Sequence, residues 1–364
     1  MARNESPLAY TDYLQLAKLL DSQSLKSAEV GKPAHDEHLF IIVHQVYELW
    51  FKQILFELDA VLATFSGDRV DEKQVGIATL RLARITEIQK LLIDQLHVLE
   101  TMTALDFLEF RDVLYPASGF QSYQFRLIEN KIGMATEQRL LYNKEAYYKH
   151  LDKDHQEVVH DSEQGLTLFG AVEQWLGRTP FLDFQGFNFW DHYRSAVADM
   201  LESDRRAIMS NTVSSQQEKQ PQLDEVKANE ENFAALIDPA KHEELVRSRK
   251  RRLSHEATEA ALLIMLYRDE PILHIPFRLL TVLMDMDEQW TLWRYRHALM
   301  AHRMIGNKIG TGGSTGYNYL KATVDKYKIF GDLFNLSTFL IPRSRLPELP
   351  AGLKKNLGFY YSQQ

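Results

Sequence analysis

The chain has 364 residues, 45% of them hydrophobic, enough to bury one large core or two ordinary ones. A formal net charge of -8 and a pI of about 5.9 leave no global basic field to draw it to nucleic acid or anionic lipid. The absence of cysteine excludes disulfides, thiolate-ligated haem, cysteine-held iron–sulfur clusters and cysteine nucleophiles. The opening MARNESPLAY has no apolar run of the kind a secretory signal carries. The longest apolar run, AALLIMLY at 260–267, falls short of the ~20 residues a membrane helix needs. These features predict a soluble, cytoplasmic protein without nucleic-acid or membrane partners.

In chain order, residues 1–34 read as an N-terminal arm ahead of a single unit over 35–364. Residues 35–65, HDEHLFIIVHQVYELWFKQILFELDAVLATF, contain no Gly or Pro for about eight helical turns. One row on that helix holds Phe40, His44, Tyr47, Phe51, Leu55 and Leu58, while Ile42, Val43, Val46 and Leu49 cover other faces. A helix apolar on most sides belongs in the middle of a bundle. Further helices are predicted over 73–103, 118–132, 155–176, 188–210, 254–267 and 277–306. The tract 210–231 is polar enough for a mobile connection or a solvated helix, inside an excursion over about 180–255. Strand signals are scarce, so the predicted fold class is all-α, a large helical bundle.

The histidines divide by position. His35 and His38 bracket two acids in HDEH; i, i+3 spacing suits a metal, but Asp36 and Glu37 also suit a helix start. Glu157 and His160 form one Glu-x-x-His, where a di-iron bundle needs two and two further glutamates. His44 lies on the apolar row of its helix. His297 shares a helix side with Leu280, Leu283, Trp290, Trp293, Met300 and Met304, so it points inward. His302 is five residues on, about 140° around the helix, and cannot join His297 on one ion. Two inward histidines from distant helices suit the two faces of a planar cofactor such as haem.

GTGGSTG, residues 310–316, follows a helix and has no Lys where a P-loop needs one. It offers backbone N–H groups and the hydroxyls of Thr311, Ser314 and Thr315, either to close over a polar group or as a long C-cap. Arg111 ends a helical stretch one turn after Phe107. An arginine there can grip a carboxylate bidentately or form a surface ion pair. The basic hexamer RSRKRR, 247–252, reads as a solvated helix edge, given the net negative charge.

Four blocks resemble one family: HDEHLFIIVHQVYELWFKQILFELD (35–59), LETMTALDFLEFRDVLYPASGFQSYQFRLIENKIG (99–133), WRYRHALMAHRMIGNKIGTGGSTGYNYLKAT (293–323) and KIFGDLFNLSTFLIPR (328–343), with FNFW (187–190) and YRDEP (267–271) also matching. The chain resembles the tryptophan 2,3-dioxygenases, in their animal-like form. The resemblance implies haem b, ferrous when active, bound in the bundle, with O2 as co-substrate. The implied reaction inserts both oxygen atoms across the indole C2–C3 bond of L-tryptophan to give N-formyl-L-kynurenine, the first step of the kynurenine pathway.

Residue by residue, the resemblance implies that His297 is the proximal iron ligand, with Trp293 and Ser118 also at the cofactor. His44 meets the indole N–H, and Arg111 grips the substrate carboxylate. Thr311 contacts the amino-acid head, and Phe40, Phe107 and Leu114 form pocket walls. Tyr10 and Tyr13 reach into a neighbouring subunit's pocket, within a homotetramer built of arm-exchanged dimers. A relative acting on a different indole and a non-catalytic haem sensor are the alternatives.

Overall fold

The computed structural model describes residues 7–135, 139, 151–180, 182–184, 186–306, 308 and 316–358. Its longer helices, in chain order, are α1 (His35–Phe65), α2 (Glu72–Leu99), α3 (Ala104–Arg111), α4 (Tyr123–Ile132), α5 (Lys153–Glu163), α6 (Leu168–Gly177), α7 (Phe189–Ser210), α8 (Gln216–Ile237), α9 (Pro239–Arg247), α10 (His255–Leu266), α11 (His274–Ile305) and α12 (Gly316–Lys326). Short helical turns fill the arm and the tail. Strand among the described residues is one two-residue antiparallel pair, Asp183–Phe184 with Phe187–Asn188. The chain is all-α.

The centre is α1, α2 and α11 packed together, with α4 against α1 and α12 against α11. On α1 the buried row is Val43, Tyr47, Phe51, Ile54, Leu58, Val61 and Phe65, with steps of 4, 4, 3, 4, 3 and 4. By length and composition α1 is apolar enough to cross a membrane. Its buried row faces the bundle core. Gln89 on α2 donates to the carbonyl of Met286 on α11 at 3.0 Å, a buried polar tie across the central pair.

One buried apolar cluster joins the central helices to α7 and α8, so the excursion shares the core of the bundle. Tyr193 donates to the Phe339 carbonyl at 2.6 Å and Tyr267 to that of Pro347 at 2.8 Å, which stitches the tail down. The polar tract is mostly helix: Ser215 caps α8 through a capping box with Glu218.

Three expectations change. The span 155–176 is two helices, because Thr167 caps a new start by accepting from Gly170 at 3.1 Å. The span 118–132 begins as a 3₁₀ turn, Gly119–Gln121, before α4. The basic hexamer is only partly a solvated edge. Arg247 and Lys250 are exposed, but Arg252 donates to Gly133 and Ile329 carbonyls at 2.8 and 3.2 Å and lies 3.9 Å from the Phe169 ring centroid.

Candidate active site

Helices α1, α3, α4, α11 and α12, the end of α2 and the turn at 118–122 enclose a cavity of about 310 Å³, in the size range of small-molecule sites. Its wall is mostly apolar, with aromatic rings from Phe40, Tyr47, Phe51, Phe107, Phe125 and Trp293. His44 enters from α1 and His297 from α11. The two inward histidines expected from helical phase therefore share one cavity.

The two imidazoles are held differently. Nδ1 of His44 lies 2.7 Å from the carbonyl oxygen of Phe40, one turn back. A carbonyl can only accept, so Nδ1 carries the proton and Nε2 is left as a bare acceptor. The ring tilts against Phe40, with centroids 4.1 Å apart and planes 36° from parallel, and its exposed surface lines the cavity. Burial lowers its pKa, against the opposing pull of the Phe40 carbonyl and Glu48, so the ring stays neutral.

His297 stacks on Trp293, four residues earlier on α11, at 5.0 Å and 19°. Trp293 in turn donates to the hydroxyl of Tyr47 at 3.5 Å. Nδ1 of His297 is buried and has no hydrogen-bond partner among the described residues. Burial, with a smaller contribution from His44, pushes the His297 pKa down to about 4. Near neutral pH the ring therefore keeps its lone pair for a metal. A neutral imidazole, a second histidine in the same cavity and an apolar enclosure without thiolates fit a haem. Among the described residues no three His, Asp or Glu side chains gather to hold a bare metal ion.

HDEH is a helix start and an anchor. The Glu37 carboxylate is buried and accepts from the backbone N–H groups of Lys26 and Ser27 at 2.8 and 3.0 Å, tying the arm to α1. His35 and His38 are exposed. His160 pairs with Glu163 at 3.3 Å, within its own helix.

Arg111 reaches the cavity because α3 ends there. A capping box of Thr103 and Asp106 starts that helix, and Phe107 and Arg111, four apart, fall on one face toward the cavity. Ser118 lines the cavity while capping the 3₁₀ turn, its hydroxyl accepting from Phe120 at 3.4 Å. Leu114 is half-buried against the core and does not line the wall. Tyr10 and Tyr13 are 72% and 70% exposed, outside this chain's own cavity. Thr311 lies outside the described residues. Phe40, His44, Phe107, Arg111, Ser118, Trp293 and His297 are the expected site residues found together.

The sequence reading missed a charged cluster. Arg126, Glu129 and Arg294 line the cavity and are buried. Glu129 meets Arg126 at 2.9 Å, Arg294 at 3.1 Å and Arg139 at 3.5 Å. Burial alone would raise the pKa of Glu129, but the three guanidinium groups outweigh it and hold it below the usual range. Two signals were available: the i, i+3 spacing of Arg126 and Glu129, and Arg294 three residues before His297.

The family model described as tryptophan 2,3-dioxygenase matches residues 2–340. A protein named tryptophan 2,3-dioxygenase from Bdellovibrio bacteriovorus is 53% identical over 355 residues, 98% of this chain and 99% of that protein. Like-named proteins from Dictyostelium discoideum and Xenopus tropicalis are 48% and 51% identical, covering 97% and 96% of this chain and 88% and 86% of their own lengths. With nearly the whole chain matched by the family model and by relatives at about half identity, the chain belongs to the tryptophan 2,3-dioxygenase family.

Proposed function

We propose that the chain is a haem-dependent dioxygenase acting on L-tryptophan, with N-formyl-L-kynurenine as product and the first step of the kynurenine pathway as its role. The names of its relatives support the substrate. The observation that carries the cofactor is His297, a buried neutral imidazole that shares an apolar cavity with His44.

His297 would hold the haem b iron, with Trp293 stacked on its imidazole and Ser118 lining the cavity that would receive the cofactor. Bound ferrous haem supplies the O2-activating chemistry that no side chain in the cavity possesses. The chain's own residues bind and orient. The bare Nε2 of His44 accepts the indole N–H, and Phe40 and Phe107 flank the ring and exclude water. Arg111 takes the substrate carboxylate, and Thr311 takes part of the amino-acid head. A charge-assisted contact of this kind contributes roughly 1.5–3 kcal/mol.

Exposed apolar side chains on the outer faces of the three central helices support self-association. Leu49 and Phe56 on α1, Leu80 and Leu91 on α2, and Tyr295 on α11 are all at least 48% exposed. A homotetramer of arm-exchanged dimers would cover such surfaces and carry Tyr10 and Tyr13 toward a neighbour's cavity. A cytoplasmic location agrees with a chain that needs no disulfide.

The test is O2 uptake and growth of a near-ultraviolet product band when L-tryptophan is added to the reduced, haem-reconstituted protein. A Soret band without uptake would point to a sensor. No Soret band after reconstitution would end the haem reading.

A further inference from the structure

Helix α12 supplies Tyr319, Leu320 and Thr323 to the cavity wall, so its seat on α11 sets the shape of that wall. The chain just past its far end is tied to α11 by hydrogen bonds. The buried carboxylate of Asp287 accepts from the backbone N–H groups of Ile329 and Phe330 at 3.1 Å, and Arg294 donates to the carbonyl of Tyr327 at 3.4 Å. The end of the first turn of α12 rests on the turn at 118–122, where the Tyr319 and Phe120 rings meet edge to face at 5.5 Å.

The start of that first turn is also held by a contact from α11 itself. His302, in the last turn of α11, stacks on Tyr317 in the first turn of α12, with centroids 4.2 Å apart and planes 23° from parallel. The Lys321 ammonium lies 5.9 Å from the same Tyr317 ring, one turn further along α12. His302 is exposed and does not line the cavity. Its phase on α11, about 140° from His297, turns it away from the cavity. Just beyond it α11 stops at Gly306, whose φ of 58° favours glycine. The stack therefore joins the last turn of α11 to the first turn of α12.

We propose that His302 is a positioning residue. By stacking on Tyr317 it seats the first turn of α12 on the end of α11, and so holds Tyr319 and Leu320 in the cavity wall. Flat-on aromatic contact carries this role, and charge on the imidazole is not required. The exposed ring lets it be tested without opening the core. Only the effect on substrate rests on the tryptophan reading; the seating of α12 does not.

The experiment compares the haem-loaded full chain with H302A, H302F and H302Q by amide hydrogen exchange over residues 316–326. In H302A exchange in the first turns of α12 should quicken roughly two- to tenfold, the range an aromatic pair contributes. H302F should restore protection and H302Q should behave like H302A. The KM for L-tryptophan should rise by a similar factor in H302A with kcat nearly unchanged. A double-mutant cycle with Y317A should show the two changes to be non-additive. Unchanged exchange in H302A, no rescue by H302F, or additive effects with Y317A would each overturn the proposal. A wild-type chain that binds haem but leaves tryptophan intact would overturn the substrate reading instead, and the exchange comparison would still decide the role of the stack.

Discussion

The two walls of the cavity each present a histidine, and the difference between them lies in what the second ring nitrogen meets. On α1, Nδ1 of His44 is committed to a backbone carbonyl, which leaves Nε2 as an acceptor. On α11, Nδ1 of His297 is buried without a partner among the described residues, and the ring is placed by stacking on Trp293. One wall thus offers an oriented hydrogen-bond acceptor, suited to an N–H donor. The other offers a lone pair set by packing, suited to a metal. Residue type alone would make the two interchangeable, and their neighbours do not.

The largest expected effect separates the two walls directly. Losing an outer partner of a metal-binding histidine costs about 10–100-fold in affinity, so losing the ligand itself in His297→Ala should weaken haem binding by more than about 100-fold. His44→Ala should change haem affinity by only a few fold, about the effect of one peripheral contact. Soret titration measures both, and equal losses would erase the distinction between the walls.

The next effect concerns protonation. The folded pKa of His297 is about 4, below its ordinary value. The unfolded chain therefore takes up the proton first as pH falls. The stabilising contribution is complete above about pH 6.5 and is lost as pH falls toward 4, by roughly 3 kcal/mol at most. Urea unfolding of the haem-free chain across that window should show the slope, and His297→Gln should flatten it. His44 is also lowered by burial, so some slope should persist in that variant.

On the substrate side, Arg111→Ala should lower kcat/KM for L-tryptophan roughly 10- to 150-fold, the loss of a charge-assisted contact. Turnover of tryptamine, which lacks the carboxylate, should change little. Equal loss for both substrates would make Arg111 structural. The smallest effect belongs to His44→Ser. Removing one neutral acceptor for the indole N–H should cost roughly two- to tenfold in kcat/KM. A loss of several thousandfold would instead make His44 an essential base.

The long helices were legible because their signals are local. α1 runs without Gly or Pro and α11 keeps one apolar side, and each came out within three residues of its expected bounds. The break at 164–167 was missed because a lone Gly165 is tolerated inside a helical pattern, and the Thr167 cap shows only through its contact with Gly170. The cavity-lining charges were harder to read. Arg126 and Glu129 are spaced like an ordinary surface pair, and only packing against α11 buries them with Arg294. The stack of His302 on Tyr317 was not legible in the sequence, because Tyr317 lies beyond a glycine-rich run with no periodicity to connect them.

By itself the sequence determined the all-α class, the inward phase of His44 and His297, the separation of His297 from His302, and family membership through long matching blocks. These are properties of helical period and residue order, which do not depend on how helices meet. Tertiary structure alone decided that both histidines open on one cavity, that Leu114 packs against the core rather than lining the wall, and that three arginines converge on Glu129. Each of those depends on atoms far apart in the chain coming within a few ångströms. Hydrogen bonding and the exclusion of water act over that distance, and a one-dimensional pattern carries no record of it.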